Sequence, residues 1–176
     1  LKYLKKRGGC AVKYTVYTSF GKFTLSLFPE DAPATVKNFS EYVEENFYNN
    51  TIFHRVIDGF MIQGGGFDNN LEEKSTKEAI RNEANNGLSN KALTIAMART
   101  SDPHSASSQF FINLVDNTFL DFKDETLDGW GYAVFGEVID GQETIFKIGK
   151  VQTGTHGFFQ DVPVNPIGIQ KIVKLK

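Results

Sequence analysis

The side chains able to do chemistry gather in one stretch, Phe53-His54-Arg55-Val56-Ile57-Asp58-Gly59-Phe60-Met61-Ile62-Gln63-Gly64-Gly65-Gly66. Arg55 carries a guanidinium that stays charged at any physiological pH, and Gln63 an amide that both donates and accepts hydrogen bonds. Phe60 and Met61 lie between them, after an Asp58-Gly59 pair that signals a tight turn joining two short apolar runs. A permanent cation fixed on a strand beside apolar surface suits a groove that holds a polar group in partly dry surroundings. The plainer reading of a single arginine is a solvated residue on a β-hairpin, and the rest of the chain has to decide between the two.

Other chemistries find little support. His54, His104 and His156 are far apart, and none has a local partner at metal-ligand spacing. One cysteine, Cys10, leaves no thiolate set for zinc and no internal disulfide, and it fits a reducing compartment. There is no G-x-S-x-G nucleophile elbow. Gly59 and Gly64 have phosphate-loop spacing but are followed by Gly65-Gly66 in place of lysine and a hydroxyl residue, and the same glycines fail the dinucleotide pattern. The aromatic run Gln109-Phe110-Phe111-Ile112-Asn113-Leu114 could stack on RNA bases, yet no basic patch accompanies it and a core strand is the simpler reading. Neither a metal nor a cofactor is expected. What remains is a binding groove.

Size and charge agree with that. The 176 residues suffice for one domain with its own core, and a net charge of -2 gives no electrostatic case for nucleic acid or an anionic membrane. No apolar run approaches a membrane span. The 16 phenylalanines point to a core or pocket built from rings that bring no polar group to satisfy. Residues 1–9 are basic and lack the apolar centre of a signal peptide, so 1–11 is read as a flexible leader and 12–176 as a single domain.

The elements that must position the groove follow from periodicity. Across residues 12–28, Tyr14 and Val16, then Phe23, Leu25 and Leu27, alternate with threonine and serine around a turn at Ser19-Phe20-Gly21-Lys22, which predicts a β-hairpin. Asp31-Ala32-Pro33 opens a helix over about 34–46, with an acidic residue near its start and Val36, Phe39, Val43 and Phe47 on one face. The Arg55 stretch gives two more strands, and residues 68–88 a long polar loop of the kind that lines sites. Residues 93–98 and 109–114 read as strands, separated by a polar loop at 99–107. Residues 116–131 form an acidic loop holding Phe119, Leu120 and Trp130. A strand at 132–138 turns through Ile139-Asp140-Gly141 into a short helix with Ile145, Phe146 and Ile148. Residues 151–166 read as a Gly/Pro-punctuated loop, and Ile167, Ile169, Lys171, Val173 and Leu175 alternate in a final strand. The tally is about eight strands and two helices without a βαβ rhythm. Such a sheet tends to close on itself, because closure removes its edges, so a mainly β fold is expected: a closed eight-stranded antiparallel barrel capped by two helices. A barrel packed with phenylalanine would have to bind its ligand on the outer wall.

Taken together the motifs resemble those of the cyclophilins, a family of peptidyl-prolyl cis-trans isomerases. The stretch from Phe53 to Gly65 looks like that family's signature, and Phe47-Tyr48, Ile95-Ala96-Met97-Ala98, Ser108-Gln109-Phe110-Phe111-Ile112 and Ala133-Val134-Phe135-Gly136 recur there in the same order. The likeness spans about residues 14–175. Through Thr94-Ile95-Ala96-Met97-Ala98-Arg99-Thr100 and Gly129-Trp130-Gly131-Tyr132 it leans to bacterial, mainly cytosolic members. The family fold is an eight-stranded closed barrel with two capping helices.

The resemblance implies a residue for each role. Arg55 would assist rotation about an X-Pro bond, with Phe60, Met61, Phe111 and Leu120 forming the proline pocket. Gln63 would bond the substrate backbone and orient Arg55, and Ala98, Arg99 and Gln109 would line the peptide track. His54 is expected to be structural, and Phe110 and Phe135 to point into the barrel. The partners implied are proline-containing unfolded or flexible polypeptides, met by a monomer in the cytoplasm, with folding assistance as the task. Three positions depart from well-known members. Phe119 stands where eukaryotic relatives carry tryptophan, with Trp130 in the neighbouring insertion, and the lost indole N–H makes weak cyclosporin binding the expectation. Arg99 replaces a common asparagine, and Tyr132 a common histidine. Two rival readings stay open at this point: a non-catalytic peptide-binding or chaperone module using the same groove, and a barrel carrying a small ligand inside.

Overall fold

The computed structural model describes residues 11–176; the proposed leader over 1–11 thus lies almost wholly outside the described residues, as does Cys10. The first alternating run forms the expected hairpin, β1 (Val12–Thr18) and β2 (Gly21–Leu27), paired from Val12 opposite Leu27 to Thr18 opposite Gly21. Tyr14, Val16, Phe23, Leu25 and Leu27 are all buried, as their period of two requires.

Helix α1 (Pro33–Glu44) begins at the proline, whose missing N–H costs nothing in a first turn. Ala32 occupies the cap position, and no side-chain cap bond forms there. The acceptor comes instead from the long loop: Glu83 Oε1 takes hydrogen bonds from the Thr35 amide and the Thr35 hydroxyl at 2.6 and 2.7 Å. A carboxylate at a helix N-terminus also meets the positive end of the backbone dipole. Val36, Phe39 and Val43 are buried, and the Phe39 ring packs on Tyr14, Tyr48, Phe110 and Phe135.

The remaining elements are β3 (Thr51–Ile52), β4 (Arg55–Ile57), β5 (Met61–Gly64), β6 (Thr94–Met97), β7 (Phe110–Asn113), β8 (Val134–Asp140), α2 (Gln142–Gly149), β9 (Thr153–His156), β10 (Phe159–Pro163) and β11 (Gly168–Lys174). Nine strands form one curled antiparallel sheet in the order β3-β11-β1-β2-β8-β6-β7-β5-β4. The mainly β fold with two helices is therefore as expected, while the closed eight-stranded barrel is corrected to a nine-stranded sheet whose ladder ends at β3 and β4. The extra strand arises where the chain passes from one end of the ladder to the other. Thr51–Ile52 pairs with β11, Arg55–Ile57 pairs with β5, and only Phe53 and His54 intervene. At that seam Ile52 N–H donates to the Phe67 carbonyl and Phe53 N–H to the Ile167 carbonyl, both at 3.0 Å. Phe23, Phe39, Phe53, Phe110 and Phe135 fill the interior. Phe110 and Phe135 thus point inward as expected.

Two stretches differ from expectation. Residues 151–166 are not a plain loop: β9 and β10 form a separate two-stranded hairpin, with Phe159 opposite His156. Its first strand, Thr153-Gly154-Thr155-His156, is largely exposed, so no apolar alternation marks it. In β11 the alternation switches phase. The register against β1 slips between Tyr17 and Thr18, where Tyr17 faces Lys171 but Thr18 faces Ile169. The bulge turns Ile169 and Ile172 inward and leaves Val173 and Leu175 exposed. In α2, Ile145 and Ile148 are buried, but Phe146 faces solvent.

Candidate active site

Strands β4, β5 and β7 lie side by side, so three side chains fall into line across them. Arg55 is directly opposite Gln63, and Gln63 directly opposite Phe111. Cross-strand partners share a face. Arg55 Nη1 lies 3.5 Å from Gln63 Oε1, and Gln63 Nε2 donates to Gln109 Oε1 at 3.0 Å. Arg55 is exposed while Gln63 and Gln109 are half-buried. The guanidinium is therefore steered at one terminal nitrogen by an amide relay, which leaves its other N–H groups to point toward the outside of the sheet.

The outer face of the same strands carries a second apolar cluster, separate from the interior. Met61, Ala96, Ala98, Phe111 and Val134 are buried in it, with Phe60, Leu120 and Tyr132 half-buried against them. Of the expected site residues, Phe60, Met61, Ala98, Phe111, Leu120 and Tyr132 thus come together in one place. Phe111 meets the Tyr132 ring edge-on at 5.7 Å. Phe119 stacks on Phe60 with ring centres 5.9 Å apart and remains 63% exposed, an apolar ledge beside the cluster. The side chain of Arg99 does not reach out freely: its Cζ sits 4.4 Å over the Tyr132 ring, and its Nε donates to the Gly131 carbonyl at 3.1 Å. A stacked, hydrogen-bonded guanidinium of this kind walls the cluster with its flat face. Trp130 makes its ring contacts with His104 and Phe122.

His54 is buried against the Phe67 ring at 4.5 Å, and its Nδ1 has no hydrogen-bond partner. Burial first, and the neighbouring Arg55 charge second, lower its pKa to about 4. The imidazole is neutral around pH 7 and packs as a ring.

Sequence reasoning missed what stands behind the cluster. Asn90, Asn113 and Asn117 are buried there, joined by their side-chain amides. The signal was available in β7, where Asn113 shares a face with Phe111 two residues earlier and so places an amide on an otherwise apolar wall. Three loops also meet at one buried residue: the Asn82 amide donates to His104 Nδ1 at 3.1 Å, and its side chain to the Gly131 carbonyl at 3.0 Å. Among the described residues no group of His, Cys, Asp and Glu could hold a metal ion, and no helix is long and apolar enough to cross a membrane.

With this geometry in view, likeness to known proteins is informative. Residues 13–174 match the family model described as cyclophilin type peptidyl-prolyl cis-trans isomerase/CLD. Peptidyl-prolyl cis-trans isomerase B of Escherichia coli (strain K12) is 57% identical over 158 residues, covering 90% of this chain and 96% of that protein. Peptidyl-prolyl cis-trans isomerase A of Dickeya dadantii (strain 3937) is 54% identical, covering 89% of this chain and 82% of its own. The crystal structure of a Cryptosporidium parvum cyclophilin type peptidyl-prolyl cis-trans isomerase in the presence of the dipeptide Ala-Pro superimposes with a TM-score of 0.79 at 28% identity, over 93% of this chain and 99% of that one.

Proposed function

The chain belongs to the cyclophilin-type peptidyl-prolyl cis-trans isomerases, and on that premise we propose that Arg55 carries the catalysis by binding the twisted X-Pro bond more tightly than the planar one. A peptide bond resists rotation by roughly 18–20 kcal/mol, because the nitrogen shares its lone pair with the carbonyl. For X-Pro the two planar forms are nearly balanced, yet they exchange only over tens to hundreds of seconds. Halfway through rotation the conjugation is lost, and the proline nitrogen becomes pyramidal and able to accept a hydrogen bond. A guanidinium donor aimed at that nitrogen stabilises the twisted state selectively, which lowers the barrier with no covalent step.

The remaining parts have matching roles. Phe60, Met61, Phe111 and Leu120 receive the proline ring in the outer apolar cluster, and partial exclusion of water there favours the less charge-separated twisted amide. Gln63 orients Arg55 and bonds the substrate backbone. Ala98, Gln109 and the flat face of Arg99 border the peptide track. The substrates are X-Pro bonds in flexible or unfolded polypeptides, such as cytoplasmic chains that the enzyme helps to fold as a monomer, without cofactor or metal. Phe119 leaves cyclosporin only weakly held. The observation that carries this reading is the Arg55–Gln63–Gln109 relay running along the edge of an apolar cluster on the outer face of the sheet.

The test is an isomerisation assay on a proline peptide. Arg55→Ala should reduce the rate roughly 100- to 1,000-fold, as loss of a transition-state donor does. Arg55→Lys should also be impaired, because one ammonium does not reproduce the planar fork. A full rate in Arg55→Ala would remove the mechanism.

A further inference from the structure

Resting on that reading of the apolar cluster as the proline pocket, we propose that Asn90, Asn113 and Asn117 are positioning residues that fix the width of the pocket, and so its selectivity for a five-membered ring. Three amides connect in series behind the wall. Asn117 Nδ2 donates to the Phe60 carbonyl at 3.0 Å and to Asn113 Oδ1 at 2.9 Å. Asn113 Nδ2 donates to Asn90 Oδ1 at 3.1 Å and to the Thr94 hydroxyl at 3.0 Å. Asn90 Nδ2 then shares its two hydrogens among the carbonyls of Leu120 and Tyr132 and Asp121 Oδ1, at 3.3, 3.2 and 3.1 Å.

The two ends of this relay are what give it meaning. One holds the backbone of Phe60; the other holds the backbones of Leu120 and Tyr132. Those residues lie on separate segments, with Phe60 in the turn before β5, Leu120 within the acidic loop and Tyr132 just after it. All three pack their side chains on the same cluster. Backbone bonds tighten the same frame, since the Asn117 amide donates to the Asn90 carbonyl at 2.7 Å and the Tyr132 amide to the Leu120 carbonyl at 2.9 Å. The three asparagines are buried, so each amide left without its partner would be costly, and the relay therefore holds one geometry. A sheet strand alone would set the Met61 and Phe111 wall. It would not set the distance from that wall to Leu120 and Tyr132, which sit on loops.

An apolar pocket distinguishes ligands differing by one methylene only modestly, and only if its walls do not yield. The experiment therefore compares model peptides carrying proline with the same peptides carrying its six-membered homologue, pipecolate, measuring kcat and KM separately. In Asn117→Ala the KM for the proline peptide should rise roughly 3- to 10-fold while kcat at saturation changes little, because Arg55 and Gln63 are untouched. The proline-to-pipecolate ratio of kcat/KM should fall several-fold. Asn90→Ala, cutting the relay at its other end, should shift the ratio the same way, and the Asn117→Ala, Asn90→Ala double variant should add little further. An unchanged ratio in either single variant, with circular dichroism and thermal midpoint showing it folded at the assay temperature, overturns the proposal. Wild-type protein that fails to isomerise the proline peptide at all would instead overturn the isomerase reading on which the proposal rests.

Discussion

Arg55 and Gln63 are register partners in the β4–β5 ladder, and Arg55 Nη1 reaches to within 3.5 Å of Gln63 Oε1. That separation is long for a hydrogen bond, so the contact steers the guanidinium more than it anchors it. Gln63 is itself held by Gln109 at 3.0 Å. Replacing Gln63 by leucine keeps the bulk and removes the steering. The expected result is a loss of roughly tenfold in kcat/KM, smaller than for Arg55→Ala, with little change in thermal stability. A Gln63→Leu enzyme as impaired as Arg55→Ala would place the essential donor on Gln63.

The rate should be nearly flat from pH 6 to 8. Arginine does not titrate there, and His54, the ring nearest to it in the chain, stays neutral down to about pH 4. Stability should behave otherwise. The folded-state pKa of His54 lies below its unfolded value of 6.5, so the unfolded chain binds a proton that the native ring refuses. The contribution is fully present above pH 6.5 and is lost as pH falls toward about 4, on the order of 3 kcal/mol over that window. Chemical denaturation as a function of pH measures it, and His54→Phe should lack this part of the slope.

Phe119 stacks on Phe60 but offers no N–H at the pocket rim. Phe119→Trp adds an indole donor at an exposed position that tolerates the larger ring. One neutral hydrogen bond contributes about 0.5–1.5 kcal/mol, so cyclosporin should bind roughly 2- to 10-fold tighter by calorimetry. No gain would show that this position does not control the inhibitor.

Much of this was legible in the chain because the residues concerned obey a local period. The alternation of Tyr14, Val16, Phe23, Leu25 and Leu27 gave the first hairpin, and the Asp58-Gly59 pair marked the turn of the second, although its three-residue loop, which sets Arg55 across from Gln63, is seen only in the ladder. What stayed hidden depends on tertiary contact. β9 is too polar and exposed to show a pattern, and its pairing with β10 is visible only as backbone bonds. The β11 bulge inverts an alternation that by itself looked unbroken. Arg99 could be placed beside the groove, but not its stacking on Tyr132, and Glu83 reaches the start of α1 from far along the chain. Asn117 read as one more polar residue of a loop and Asn113 as one residue of a strand, since a satisfied amide and a solvated one look alike in sequence.

The seam where the sheet curls back should be its most sensitive point. A methyl group built on Gly64 would lie 2.9 Å from the Ile52 carbonyl oxygen and 3.0 Å from the Phe53 ring, so β5 passes β3 at a distance only glycine permits. Backbone has to move for alanine to fit, and the residue that moves with it is Gln63. Gly64→Ala should therefore cost about 1–3 kcal/mol, lowering the thermal midpoint by roughly 2–10 °C, and should also depress kcat. Gly59→Ala provides the contrast. Its φ of 73° strains a side chain, but nothing lies within 4 Å. About 1 kcal/mol should be lost there, with most activity kept, because the added methyl group would meet nothing and Arg55 and Gln63 keep their pairing. Equal loss of activity in both variants would mean that strain anywhere in the β4–β5 hairpin disables the site, and the seam would have no special part in positioning it.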